Sequence, residues 1–293
     1  MKAKVAAIGT FDGVHRGHRQ VLKAVTDYAS EHNMEPVALT FKRHPLSLIA
    51  PDRQPPLLTP LWKKTKLLSE TGVRPIALDF DEKMRDTTAA DWMKKIKEEL
   101  GVTALVIGYD NTFGSDGLTL SLEDYRNFGE ELGIDVITPS ELKGVSSSGI
   151  RKAVCSGEME SAREMLGRPY SITGKVVSGN SLGHTIGFPT ANLEIPQEVA
   201  VPLPGVYAAI VKTLDDGIKH PAMVNVGVRP TVRRGDNMVI ESHLIDWEGN
   251  LYGKDITVRF LKRLRDEKKF DSIEALRKQL NQDREEVRDL LID

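Results

Sequence analysis

Gly9-Thr10-Phe11-Asp12-Gly13-Val14-His15-Arg16-Gly17-His18 lies between two different patterns. Before it, Val5 to Ile8 is a short apolar run of the kind that forms a buried strand. After it, His18 to Glu31 carries Leu, Ala and charge at helical spacing. A strand that turns into a helix presents backbone N–H groups and the positive end of the helix dipole, and both attract phosphate. Open α/β sheets bind their ligands at such switches. Two imidazoles three residues apart can face one ligand from the first helical turn, and Gly13 and Gly17 allow close approach. A lone histidine beside a tight turn is usually an ordinary surface residue; a pair among glycines at this junction favours the phosphate reading. His-x-x-His also supplies two zinc ligands, but no partner pair with zinc spacing follows.

Outward from this segment the first half alternates in the same way. Pro36 to Phe41, Pro75 to Leu78, Ala104 to Ile107 and Ile134 to Ile137 read as short strands. Pro60 to Thr71, Ala89 to Leu100 and Ser121 to Leu132 read as helices, with Thr88 and Ser121 as N-caps and Gly72, Gly101 and Gly133 as stops. The alternation predicts a parallel sheet covered by helices on both faces. From Tyr170 the pattern changes. Ile172 to Val177, Gly205 to Val211, Pro221 to Val226, Val239 to Leu244 and Asp255 to Leu261 follow one another with turn signals between them. Such a series predicts a small antiparallel barrel. A final helix from Ser272 to Leu291 carries the stripe Leu276, Leu280, Val287 and Leu291. The boundary is expected after a helix from Met159 to Leu166, giving domains 1–166 and 167–293.

Composition sets bounds around this. The chain has 293 residues, 40% hydrophobic and 28% charged, with a net charge of −2. No basic field strong enough for nucleic acid is present, so any nucleotide partner is a small one. The single cysteine, Cys155, excludes an intrachain disulfide. No apolar run has membrane-spanning length, and the N-terminus lacks a signal-peptide core. The expectation is a cytoplasmic protein.

A second group, Ser146-Ser147-Ser148-Gly149-Ile150-Arg151, precedes a helix. Serines there are most often simple N-caps. Arg151 in a first turn opposes the helix dipole, a misfit that a bound phosphate would remove. With Thr40-Phe41-Lys42-Arg43-His44-Pro45 and Gly108-Tyr109-Asp110 through Phe113-Gly114, these residues resemble the FMN adenylyltransferase module of bacterial FAD synthetases, within the nucleotidyltransferase superfamily. The resemblance implies a Rossmann-like nucleotidyltransferase domain. It assigns Gly9, Phe11 and Gly13 to the phosphate loop, and His15 and His18 to the ATP phosphates and the transition state. Ser147, Ser148 and Arg151 would hold the phosphates that leave as pyrophosphate, and Asp110 would contact nucleotide or flavin. FMN phosphate is already anionic, so its attack on the α-phosphorus needs positioning and cationic donors more than a base. The run Asn111 to Gly117 departs from the family pattern, which predicts an altered cover over the flavin and weaker adenylylation.

In the second half, Gly174 to Gly179 and Gly183-His184-Thr185-Ile186-Gly187-Phe188-Pro189-Thr190-Ala191-Asn192 are rich in glycine. Barrel corners and a plain turn would account for them alone. Asn225 to Thr231, Ile240-Glu241-Ser242-His243-Leu244, Leu251-Tyr252-Gly253 and Leu264 to Phe270 follow in order, and the series resembles a riboflavin kinase module. The resemblance implies that Thr190 and Asn192 hold Mg²⁺ and ATP phosphates, with Gly179 and His184 also on the phosphates. Glu241 matches the base that deprotonates the ribityl hydroxyl, although a strand glutamate is otherwise usually a solvated one. Arg265 matches a residue near the flavin, and a surface ion pair would serve it equally. His184 stands where the family usually has Arg, which predicts a raised ATP requirement. ATP is then co-substrate at both sites, riboflavin and FMN the acceptors, and FMN and FAD the products.

Overall fold

The structure is a computed structural model and describes residues 2–109, 111–178, 182–215, 217–229 and 237–292. Its contacts divide it into two units, Met1–Ser147 and Ser148–Asp293.

The first unit runs β1 (Lys4–Ile8), α1 (Arg16–Glu31), β2 (Glu35–Phe41), α2 (Leu46–Ile49), α3 (Leu61–Ser69), β3 (Arg74–Leu78), α4 (Glu82–Asp86), α5 (Ala89–Leu100), β4 (Val102–Val106), α6 (Leu122–Leu132) and β5 (Asp135–Ile137). The strands form a parallel sheet in the order β3-β2-β1-β4-β5. Strand β1 shows why both faces must be covered. Its five residues are all buried. Val5 and Ala7 face a core shared with Leu22 and Val25 of α1 and Leu67 and Leu68 of α3, while Ala6 and Ile8 face one shared with Trp92, Met93 and Tyr125 of α5 and α6. The strand order reverses between β1 and β4, so the crevice beyond their carboxyl ends is the place where such sheets take ligands. Thr88 caps α5 and Ser121 forms a capping box with Asp124 at α6, as their positions predict.

Helices α7 (Ser147–Cys155) and α8 (Met159–Leu166) lead into the second unit. There β6 (Ser171–Val177), α9 (Leu182–Thr185), β7 (Ala191–Leu193), β8 (Gly205–Thr213), β9 (Lys219–Arg229), β10 (Asn237–Leu244) and β11 (Asp255–Arg265) precede α10 (Ile273–Ile292). The strands close an antiparallel barrel in the order β10-β7-β6-β11-β8-β9. Two features differ from the sequence reading. Strand β7 falls in what reads as a turn, because three residues with little strand signal are paired from both sides by β6 and β10. The division by contacts falls at Ser147/Ser148 rather than after Leu166, because α8 buries Met159, Ala162 and Leu166 and packs on β11. Helix α10 sets Leu276, Leu280, Val287 and Leu290 against Phe188, Met223 and Ile245; the side chain of Leu291 lies outside the described residues.

Candidate functional site

At the end of β1 the backbone turns sharply, with positive φ at Phe11 (47°), Gly13 (87°) and Val14 (40°). Gly13 takes that conformation freely. Phe11 and Val14 do not, and such residues cost about 1–3 kcal/mol each unless their surroundings hold them. Here the surroundings do. Phe11 and Val14 are buried in the core. Asp12, 2% exposed, accepts from the backbone N–H groups of Leu58 and Thr59 and from the Thr59 hydroxyl. The Thr59 hydroxyl oxygen in turn accepts from Gly13 N–H at 3.0 Å, and Ser147 Oγ donates to the Asp12 carbonyl at 2.9 Å.

The turn delivers His15 to the N-cap of α1, where its Nδ1 accepts from His18 N–H at 3.2 Å. This cap starts the helix two residues before the spacing predicts. With Nδ1 accepting, a neutral His15 ring carries its proton on Nε2. The His15 and His18 rings stack at 3.6 Å and 16°, and Phe11 meets His18 edge-on. A Cβ on Gly17 would lie 3.2 Å from the His15 ring, so this glycine makes room for the stack. Gly9 donates its N–H to Leu39 and continues the sheet. Phe11, expected at the phosphates, has its side chain in the core, which leaves only its backbone for a ligand. Ser148 and Arg151 follow Ser147 on α7. Asp110 lies outside the described residues.

The departing run 111–117 is well anchored. Asn111 Nδ2 donates to the carbonyl of Ile8 at 2.5 Å, and Phe113 packs between Trp92 and Tyr125 while exchanging hydrogen bonds with the Tyr125 hydroxyl. Ser115 N–H reaches Thr87 O, and Asp116 accepts from Ala89 N–H.

In the barrel, register assembles the second group. Glu241 on β10 lies opposite Asn192 on β7 and opposite Asn225 on β9, so the three share one face across adjacent strands. Asn225, which the sequence offers only as the start of the run Asn225 to Thr231, donates to Glu267 Oε1 at 3.1 Å. Thr190 and Asn192 both line a pocket of about 540 Å³ with Trp247 and Tyr252. The loop that carries Thr190 is fixed from behind. His243 Nδ1–H donates to the Pro189 carbonyl at 2.8 Å, and Phe188 meets the His243 ring and the Arg284 guanidinium. Burial holds the His243 imidazole below its ordinary range, which favours its neutral form. Arg265, expected near the flavin, has its guanidinium on Asp283: Nε and Nη2 donate at 2.7–3.1 Å to a carboxylate that is 2% exposed. The pair ties α10 to β11. Gly179 and the side chain of His184 lie outside the described residues.

Residues 1–149 match the FAD synthetase family model and residues 166–291 the riboflavin kinase model. The bifunctional riboflavin kinase/FMN adenylyltransferase of Escherichia coli K12 is 37% identical over 288 residues, covering 95% of this chain and 90% of its own. The chain belongs to the bifunctional riboflavin kinase/FMN adenylyltransferase family. The Bacillus subtilis member is 33% identical over 290 residues, covering 97% and 91%. A crystal structure from Streptococcus pneumoniae, described as a macrolide-efflux protein, superposes with a TM-score of 0.88 at 32% identity over 98% of this chain and 94% of that one. Among the described residues, no helix is long and apolar enough to cross a membrane. Within this family's two-module plan, His15, His18, Ser147 and Ser148 fall in the FAD synthetase match. Thr190, Asn192 and Glu241 fall in the riboflavin kinase match, and Arg151 lies between the two.

Proposed function

We propose that this chain phosphorylates riboflavin to FMN with ATP at the barrel and adenylylates FMN to FAD with a second ATP at the parallel-sheet unit, releasing pyrophosphate. The observation that carries this is the match of both modules, in one chain and in this order, to relatives named for both activities.

For the kinase, Glu241 takes the proton of the ribityl hydroxyl as that oxygen attacks the γ-phosphorus and ADP leaves. Thr190 and Asn192 offer oxygen donors on one pocket wall, a donor set that suits Mg²⁺ with phosphates and waters completing its shell. Bound there, Mg²⁺ would neutralise phosphate charge. Trp247 and Tyr252 in the same pocket give the nucleotide base aromatic surfaces, with Gly179 and His184 assigned to the phosphates. For adenylyl transfer, FMN phosphate attacks the α-phosphorus of ATP and pyrophosphate departs. His15 and His18 donate to the oxygens on which charge builds, at a helix N-terminus that already favours anions. Gly9, Phe11 and Gly13 contribute backbone to that loop. Ser147, Ser148 and Arg151 are assigned to the leaving phosphates and Asp110 to the flavin or nucleotide. We assign 1–166 to adenylyl transfer and 167–293 to the kinase, working in the cytoplasm on small molecules rather than on nucleic acid or membrane.

A kinase with a weakened adenylyltransferase half is the second reading, motivated by the run 111–117. The anchoring of that run by Asn111 and Phe113 favours the bifunctional one. Purified protein incubated with riboflavin, ATP and Mg²⁺ should yield FMN and then FAD on chromatography. FMN without FAD, also from supplied FMN, selects the second reading; neither product rejects both.

A further inference from the structure

Lys64 belongs to none of the motifs, yet it is 8% exposed in the first turn of α3. Its Nζ donates to the carbonyls of Thr10 and Phe41, each at 3.0 Å. Phe41 ends β2, and Thr10 opens the strained turn after β1. The Thr40 hydroxyl also donates to Thr10 O, so the carbonyl that begins the turn is held from both β2 and α3. Carbonyls at the carboxyl ends of parallel strands have no further ladder partner, and a buried cation satisfies two of them at once. Burial pushes Lys64 down to about 8, with Asp12 acting in the opposite sense. Asp12, Lys42, Arg43 and His44 line the same small crevice.

The segment secured in this way leads straight to His15. Asp12 is fixed by Leu58 and Thr59 at the approach to α3, and Lys64 by its place on α3. The turn is therefore gripped at Thr10, Asp12 and Gly13 by one neighbouring stretch of chain. The strain at Phe11 and Val14 persists only while such contacts outweigh it.

We propose that Lys64 is a positioning residue for adenylyl transfer: it clamps the ends of β1 and β2 and so holds the Phe11–Val14 turn, and the stacked His15 and His18 beyond it, in the phosphate-binding geometry. The activity readout rests on the adenylyltransferase reading, whereas the structural readout does not.

Lys64→Met keeps the apolar stem and removes the donors. FAD formation from FMN should fall about a hundredfold in kcat, the scale expected when reacting groups shift by an ångström. KM values should stay within about threefold, as for loss of positioning rather than of substrate binding. Riboflavin phosphorylation by the same preparation should be unchanged. Hydrogen exchange at the Gly13 and His18 amides, which are bonded to Thr59 and His15, should accelerate. Wild-type FAD formation in the folded variant overturns the clamp. Loss of FAD formation without faster exchange overturns it too, since Lys64 would then act directly. If the wild-type protein makes no FAD, the functional reading fails on its own, and exchange still decides the clamp. Should Lys64→Met not fold, Lys64→Arg tests the same point by pH. The wild-type amine loses its charge as pH rises through about 8, and FAD formation should decline there. An arginine stays charged and should move the decline upward, while Asp12, Lys42, Arg43 and His44 are the same in both proteins. A decline at one unchanged pH in both overturns the proposal.

Discussion

In the parallel-sheet unit the proposed phosphate loop and its two histidines come from ten consecutive residues, Gly9 to His18, whereas in the barrel Glu241 and Asn192 come from β10 and β7 and meet through the ladder. The first arrangement needs a strained turn, and the strain is held by struts from elsewhere: Thr59 and Lys64 on one side, Ser147 on the other. The second needs no strain. It needs register, because a slip of one residue would turn Glu241 to the opposite face of the barrel wall. A contiguous site thus depends on its supports, and a ladder site on the whole closed sheet.

The largest effect should come from the ladder site. Glu241→Gln keeps shape and removes the proposed base, so FMN formation should fall about a thousandfold. Conversion of supplied FMN to FAD should remain near wild type, measured in the same preparation. Equal loss of both activities in a folded variant would break the separation of the two sites.

The contiguous site should respond as a unit. His15→Ala or His18→Ala should each lower FAD formation about a hundredfold. The double variant should be little worse than the poorer single one, because the rings are stacked, the His15 ring accepts from the His18 backbone N–H, and the pair is proposed to share one task. Kinase turnover serves as the control. Multiplicative losses, or a folded double variant that still makes FAD at the wild-type rate, would show that the stack is not a working element.

The smallest expected effect concerns the frame of the barrel. Asp283→Asn keeps an acceptor but removes the charge facing Arg265, and should cost about 2 kcal/mol in denaturant unfolding of the barrel. The KM for riboflavin should change little. A riboflavin KM raised at least tenfold with stability unchanged would return Arg265 to the flavin.

Much of this was written locally. The alternation of Val5 to Ile8 with the helix beyond, the caps at Thr88 and Ser121 and the five longer barrel strands all follow from short-range pattern, and the structure forms each of them. The motif around His15 and His18 is legible for the same reason, since its chemistry lies within one turn of helix. Family membership was legible too, because residue order along the chain carries it.

What the sequence left open depends on residues distant along the chain. Strand β7 exists because β6 and β10 pair with it, not because Ala191-Asn192-Leu193 prefers a strand. Asn225 joins Glu241 only through register, and Arg265 could be assigned to Asp283 only once α10 had folded over the barrel. Lys64 reads as one of several lysines on an amphipathic helix, and burial alone separates it from Lys63 and Lys66. Local pattern fixes which groups a segment offers. Which of them are withdrawn from water, and which carbonyl or carboxylate they then meet, is set by packing between segments far apart in the chain, and only the tertiary structure decides it.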